Sequence, residues 1–333
     1  MRQAQNDNMF RALVLIPNFN DWEPLAVVLE QLDVALARCD AEVNVLIVDD
    51  ASTQAARAAL PVLDHIKDVS VLPLRRNLGH QRAIALGLAY VEQNIACDAV
   101  LVMDGDGEDG PADVPRLIDA MRTSQDVVFA ERTRRAEGAL FRTLYLAYRG
   151  MHWLLTGRGV RIGNFSILPR AALHRLVAVS ELWNHYAGAV LRARIPYRTL
   201  PTYRRKRIAG KSHMSFVSLV THGLSAMSVQ LDVIGVRLLV ANALCWLGMA
   251  LSLTCVLAVK LFTNLAIPGW ASTISMLLAI LMTQSASLAL GFVFMTLQSR
   301  MSHGFLPLRD YVYYVGTPSP WHAPVQSEEA ISA

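Results

Sequence analysis

The run Val100-Leu-Val-Met-Asp104-Gly-Asp106-Gly-Glu108-Asp109 sets a cluster of carboxylates at the end of a short apolar stretch. An uninterrupted apolar run of this length predicts a strand buried on both faces. Carboxylates crowded at its end repel one another, so a positive partner is expected among them. Oxygen donors of this kind suit a hard divalent cation, Mg²⁺ or Mn²⁺, which can in turn hold a diphosphate. Gly105, Gly107 and Gly110 allow sharp turns and a close approach to a ligand. An acidic strand-to-helix turn, or a loose calcium loop, is the plainer reading of the same residues.

The elements that must position this loop are legible from periodicity. Apolar runs at 12–16, 43–48, 69–74, 98–103 and 126–130 predict buried strands. Helical spacing predicts helices over 23–38, 53–65, 80–95 and 170–178, and an amphipathic helix through Leu140, Leu144, Tyr148, Met151 and Leu155. Strands alternating with helices imply a mostly parallel sheet with right-handed crossovers. In such sheets ligands sit beyond the carboxyl ends of the strands. The polar strand ends at 17–21, 49–52, 75–80 and 104–109 therefore converge on one edge.

Composition excludes an ordinary soluble domain. The chain has 333 residues, 53% hydrophobic and 17% charged, with mean hydropathy +0.32. The charge sits before about residue 232, and the apolar excess follows it. Leu238–Val259 and Ala271–Leu297 are each long enough to cross a bilayer at about 1.5 Å per residue. Basic residues flank their outer ends (Arg204–Lys211 and Arg237 before, Arg300 and Arg309 after), which predicts both ends on the cytoplasmic side. Between them, Ser212 to Ile234 carries an apolar stripe with serines and threonines on its other faces, as expected of a helix in a membrane interface. The start, Met1–Asn8, is polar and reads as no signal peptide. Cys39, Cys97, Cys245 and Cys255 lack metal spacing and read as packing thiols. The basic cluster fits an anionic membrane surface or a diphosphate better than a nucleic acid, for which no role is expected. His80 is expected to be an uncharged residue at a helix start, and Trp153, Trp183, Trp246 and Trp270 are expected to pack or to lie in a membrane belt.

Ile16-Pro17-Asn18-Phe19-Asn20-Asp21, Val48-Asp49-Asp50-Ala51-Ser52, Arg76-Asn77-Leu78-Gly79-His80 and Asp104–Asp109 occur in an order that resembles the inverting family-2 glycosyltransferases. With the hairpin, residues 10 to 310 look most like dolichol-phosphate mannose synthase and the bacterial polyprenyl-phosphate glycosyltransferases. The resemblance implies a Rossmann-like α/β domain of the A-type glycosyltransferase fold over 1–211, an interfacial helix over 212–235, a transmembrane hairpin over 236–299 and a cytosolic tail over 300–333.

It also implies site roles. Pro17, Asn18, Asn20, Asp21 and Asp50 would border the base and ribose, with Asn77 and Gly79 also on the donor side. Asp104, Asp106 and Glu108 would hold Mg²⁺ or Mn²⁺. Arg132, Arg207, Lys211 and Ser212 would face the donor diphosphate and the acceptor phosphate, and Asp109 would be a base or would orient arginines. The expected partners are a nucleotide-sugar donor, an undecaprenyl- or dolichyl-type phosphate and a membrane, the bacterial inner one. Self-association through the apolar helices stays open. Glu108 stands where relatives usually have Gln, Gly110-Pro111 where they have Pro-Pro, Ser212-His213 where Ser-Lys is common, and Gly163-Asn164-Phe165 where Ser-Gly-Phe is usual. A glycolipid or polysaccharide acceptor, or a scaffold without catalysis, are the rival readings.

Overall fold

The computed structural model describes residues 9–54, 61–132, 150–151, 153–157, 162–203, 208, 225, 227–263, 268–301 and 304–321. The chain divides into two compact units, and the second occupies Arg142–Gly159 and Gln230–Gly304.

The first unit is built on one eight-stranded sheet. In chain order its elements are β1 (Arg11–Asn18), α1 (Trp22–Leu36), β2 (Glu42–Asp49), β3 (Ile66–Pro73), α2 (His80–Asn94), β4 (Ala99–Val102), α3 (Val114–Ser124), β5 (Val127–Arg132), β6 (Ile162–Pro169), α4 (Arg170–Leu176), α5 (Tyr186–Arg192) and β7 (Tyr197–Thr202). A short eighth strand, β8 (Ser319–Pro320), follows the helical unit. The order across the sheet is β7-β5-β6-β4-β1-β2-β3-β8. β1 pairs in parallel with β2 and β4, and β2 with β3, so the ends of these four strands share one edge as expected. β6 and β8 run antiparallel to their neighbours.

The alternating side chains explain why β1 is apolar without a break. Leu13 and Leu15 join the core on one face with α2, while Ala12, Val14 and Ile16 join the core under α1 and α3 on the other. Helix α2 lies very close to the sheet at Gly87, where a Cβ would come within 2.6 Å of Val48 and 2.7 Å of Leu15. That contact sets the height of the helix whose first residue, His80, enters the site.

One expectation departs from the structure over its described residues, and two further features had no counterpart in the sequence reading. The described parts of 53–65 are not helical, and Ile66 already opens β3; residues 55–60 lie outside the described chain. The segment after Gly163 is a strand, inserted between β4 and β5. Residues 305–321 are no loose tail. Phe305, Leu308, Tyr311, Tyr314 and Val315 pack on the core, β8 pairs with β3, and Trp321, 5% exposed, sits edge-on to Trp22 at 5.4 Å.

The second unit contains two helices, α6 (Leu231–Phe262) and α7 (Trp270–Met301). Both are long and apolar enough to cross a membrane, each with a mean hydropathy of 1.9 and almost no residue covered by the protein. α6 starts at Leu231, earlier than expected, so 231–235 belong to it and not to a separate interfacial helix. Residues 212–224 lie outside the described chain. The Asn242 amide donates to the Ser285 carbonyl at 3.1 Å and its Oδ1 accepts from the Ser285 hydroxyl, a reciprocal pair that joins the two helices inside an apolar span.

Candidate active site

The loops after β1 and β2 are laced together. Asn20 adopts φ 60 and Ala51 φ 57, left-handed conformations that turn both chains sharply at the strand ends. Asn20 Oδ1 accepts from the backbone of Thr53 and Gln54, both at 2.9 Å, and its own N–H reaches Ser52 Oγ at 2.9 Å. The Trp22 indole donates to the Gln54 carbonyl at 3.0 Å. Pro17 and Asn18 end β1 in register with Val48 and Asp49. Asn18 is 4% exposed, yet neither Nδ2 nor Oδ1 of its amide has a partner among the described residues. Leaving such a buried group unpaired costs about 1–3 kcal/mol. It is the sort of group a ligand satisfies.

Asp50 accepts from the backbone of the next loop. Its Oδ1 accepts from Leu78 N–H and its Oδ2 from Gly79 N–H, each at 2.7 Å, and the residue is 3% exposed. Burial raises its pKa against those two bonds, and neighbouring Asp49 adds to the rise. Asp50 therefore fixes the turn at Gly79, φ 91, from which α2 departs. Asn77 is exposed on the same loop.

The acidic loop is also self-braced. Asp109, 2% exposed, accepts Asp104 N–H at 3.0 Å, and Asp106 Oδ1 accepts Glu108 N–H at 2.9 Å. Asp109 thus holds the loop's own backbone. Gly107 has φ 82 and faces Ile208, whose side chain fills the place of a Cβ, while Ile208 N–H donates to the Asp106 carbonyl at 3.1 Å. Ile208 is therefore held against the acidic loop. Arg207, Lys211 and Ser212 themselves lie outside the described residues. Arg132 ends β5 in register with Thr202; its side chain lies outside the description.

His80 is the residue whose role changes most. Its Nε2 lies 3.2 Å from Asp104 Oδ1 and 3.0 Å from Asn164 Nδ2. Burial pulls its pKa down, but Asp104, with smaller help from Asp109 and Asp106, outweighs this and raises it. The imidazole thus faces the carboxylates from the first turn of α2. Gln81 ties Asn164 to α5: its Nε2 donates to Asn164 Oδ1 at 3.1 Å and its Oε1 accepts Tyr186 N–H at 2.7 Å. Ser166 and Tyr186 hydroxyls close this network at 2.7 Å, and burial pushes the phenol well above its ordinary pKa. The network depends on β6 lying beside β4, a pairing no local pattern announces. The polar dipeptide His80-Gln81 at a strand-to-helix turn was the one available signal.

Asp104, Asp106 and Glu108 are hard oxygen donors at one loop, the chemistry a Mg²⁺ or Mn²⁺ ion requires. Among the described residues no three His, Cys, Asp or Glu side chains converge on one point. The donor set fits a cation that takes its remaining ligands from a bound diphosphate or water, and does not fit an all-protein cage.

A mixed α/β sheet with a carboxylate loop at the ends of its parallel strands is the arrangement of the A-type glycosyltransferase fold. Residues 13–177 match the family model of glycosyl transferase family 2. An undecaprenyl-phosphate 4-deoxy-4-formamido-L-arabinose transferase of Erwinia tasmaniensis is 28% identical over 167 residues, 49% of each chain. The chain thus spans about half the length of such relatives. An uncharacterized glycosyltransferase of Bacillus subtilis, YkcC, is 24% identical over 273 residues, 78% of this chain and 81% of that one. Glucosyl-3-phosphoglycerate synthase from Mycobacterium tuberculosis, solved with Mn²⁺, UDP-glucose and phosphoglyceric acid, shares the fold with TM-score 0.50 and 16% identity, over 70% of this chain and 82% of that one.

Proposed function

We propose that this glycosyltransferase moves a sugar from a nucleotide-diphosphate sugar to a polyprenyl phosphate at a membrane surface, with inversion at the anomeric carbon. The observation that carries the donor half is the edge where the Asn18–Asp21, Asp50–Gln54, Asn77–His80 and Asp104–Asp109 loops meet. The Asn18 amide, without a partner among the described residues, offers an NH₂ donor group and an acceptor oxygen to a base or ribose. The acceptor half is supported by two apolar helices and by relatives named for undecaprenyl phosphate. Two spans joined by a short connection would bring both ends of the hairpin to one side of a bilayer.

Asp104, Asp106 and Glu108 would hold the divalent ion, which when bound supplies positive charge to the diphosphate leaving group. The chain's own residues orient the reactants. Asp109 and Asp50 hold the backbones of the acidic and Leu78–Gly79 loops rigid before substrate arrives. His80 lies beside Asp104, with its Nε2 also within reach of the Asn164 amide nitrogen. A lipid monophosphate is anionic at neutral pH, so attack on the anomeric carbon needs no strong base, and Asp109 is spared that role. A polyprenyl tail leaves a bilayer only at about 0.8 kcal/mol per methylene, so the enzyme must work where the lipid lies.

The test is incubation of the full chain in detergent with Mg²⁺ or Mn²⁺, nucleotide sugars and undecaprenyl phosphate, with product mass as the readout. A glycosyl phosphate lipid is expected, and Asp106→Ala should abolish it while leaving the thermal melt within a few degrees. Transfer to a lipid without a phosphate, or undiminished turnover by Asp106→Ala, overturns the proposal.

A further inference from the structure

Arg76 and Arg82 bracket the loop and first turn that carry His80, and both are held on aromatic faces. The Arg82 guanidinium carbon lies 4.9 Å from the Trp183 ring centroid, and that of Arg76 lies 6.0 Å from Tyr314. The two rings are 5.5 Å apart, and Phe305 packs on Trp183 at 3.7 Å and on Tyr314 at 5.5 Å. Two guanidiniums therefore lie on this aromatic stack, Arg82 on Trp183 and Arg76 on Tyr314. Tyr314 itself is pinned to the loop, since its carbonyl accepts Arg75 N–H at 2.8 Å and the next carbonyl, Val315 O, accepts Arg75 Nε at 3.2 Å.

Among the described residues neither Arg76 nor Arg82 is paired with a carboxylate, in contrast to Arg170 with Glu92 and Arg198 with Asp126. The difference is chemical. A carboxylate consumes the N–H fork of a guanidinium, whereas an aromatic ring engages only its flat face and leaves the in-plane donors for a ligand. A planar fork with open donors matches the oxygens of a phosphate. Both arginines are reachable from solvent, Arg76 exposed and Arg82 half-buried.

We propose that Arg76 and Arg82, presented by the Trp183–Phe305–Tyr314 stack, bind the phosphate of the lipid acceptor; this rests on the acceptor reading above. The donor diphosphate has its own place at the carboxylate loop. Beside the arginines lie half-buried aromatic rings, a surface suited to an anionic head joined to a hydrocarbon tail. Phe305 follows the second apolar helix by four residues in the chain, so the segment that leaves the hairpin also completes the stack. Residues 305–314 thereby act as positioning residues for the arginines.

The experiment uses the full chain in detergent micelles with three probes: farnesyl phosphate, farnesol as its phosphate-free counterpart, and UDP, GDP or CDP with Mn²⁺. The double variant Arg76→Ala/Arg82→Ala should lose about tenfold or more in affinity for farnesyl phosphate, the loss expected for charge-assisted bonds. Farnesol partitioning and nucleotide binding should stay within about twofold, the latter also proving the site folded. Arg82→Lys keeps the charge without the fork and should lose part of the affinity. Tyr314→Leu should weaken farnesyl phosphate binding and Tyr314→Phe should not. Unchanged farnesyl phosphate affinity in the double variant overturns the proposal, as does a parallel loss of nucleotide binding, which would give the arginines to the donor. A wild-type chain that binds nucleotide but does not prefer farnesyl phosphate to farnesol sinks the acceptor reading itself.

Discussion

Asp50→Asn separates a residue that touches nucleotide from one that holds a loop. The two carboxylate oxygens accept one backbone N–H each, from Leu78 and Gly79, at 2.7 Å. Asparagine keeps one acceptor and turns a donor towards the other N–H. With the site 3% exposed, that loss is worth about 2 kcal/mol. Leu78 and Gly79 lie in a loop and not in the sheet, so the penalty falls on local closure, with global stability affected less. About 2 kcal/mol shifts the closed-to-open ratio of the loop roughly thirtyfold. Hydrogen exchange on the full chain reads this directly: the Leu78 and Gly79 amides should exchange roughly thirtyfold faster, with β1 and β2 amides unchanged. Nucleotide–Mn²⁺ affinity should fall in step, because the loop carries His80 to Asp104. If nucleotide binding is lost while both amides keep their protection, Asp50 contacts the ligand and the reasoning is wrong.

Further expectations concern residues away from the substrate. Asp33, 6% exposed, accepts from the N–H groups of Asp64, His65 and Ile66 at 3.0, 2.8 and 2.8 Å, so Asp33→Asn should cost about 1–3 kcal/mol in thermal or denaturant unfolding. Burial raises the pKa of Asp33, but the three bonds outweigh it and the net value lies below 3.8. Its stabilisation is therefore complete above the ordinary value and is lost as pH falls through the depressed one. The gap in melting temperature between wild type and Asp33→Asn should narrow below about pH 4, and a gap independent of pH would contradict this. Gly107→Ala adds a Cβ at φ 82 where Ile208 already sits, so it should detach Ile208 and lower nucleotide–Mn²⁺ affinity about tenfold, by calorimetry. Trp321→Ala empties a buried site against Trp22 and should destabilise the α/β unit by about 3–5 kcal/mol; a change below about 1 kcal/mol would mean that the β8 segment docks only loosely.

What could be read in the sequence was local or periodic. The apolar runs of β1, β2 and β4 are unbroken because both sheet faces are covered, and that pattern alone places their polar ends together. Apolar stretches long enough for a bilayer are visible because no soluble core requires them. The described parts of the helix expected over 53–65 are not helical: from Asp64 the backbone leads into β3, held by Asp33 of α1, more than thirty residues back in the chain.

The sequence by itself determined the alternation of strand and helix, the acidic loop at a strand end and the apolar hairpin. Each follows from a repeat or cluster within a few residues of chain. Only the tertiary structure decided what those groups do to one another. β6 enters antiparallel and brings Asn164 to His80 across 84 residues. The stretch 305–321, rich in tyrosine and proline and without a period, finds its partners in β3, α1 and Trp183 once the chain has left and returned. Whether a carboxylate binds ligand or backbone, as at Asp50 and Asp109, depends on which N–H groups the fold delivers to it. That is a property of distant contacts, and residue type does not encode it.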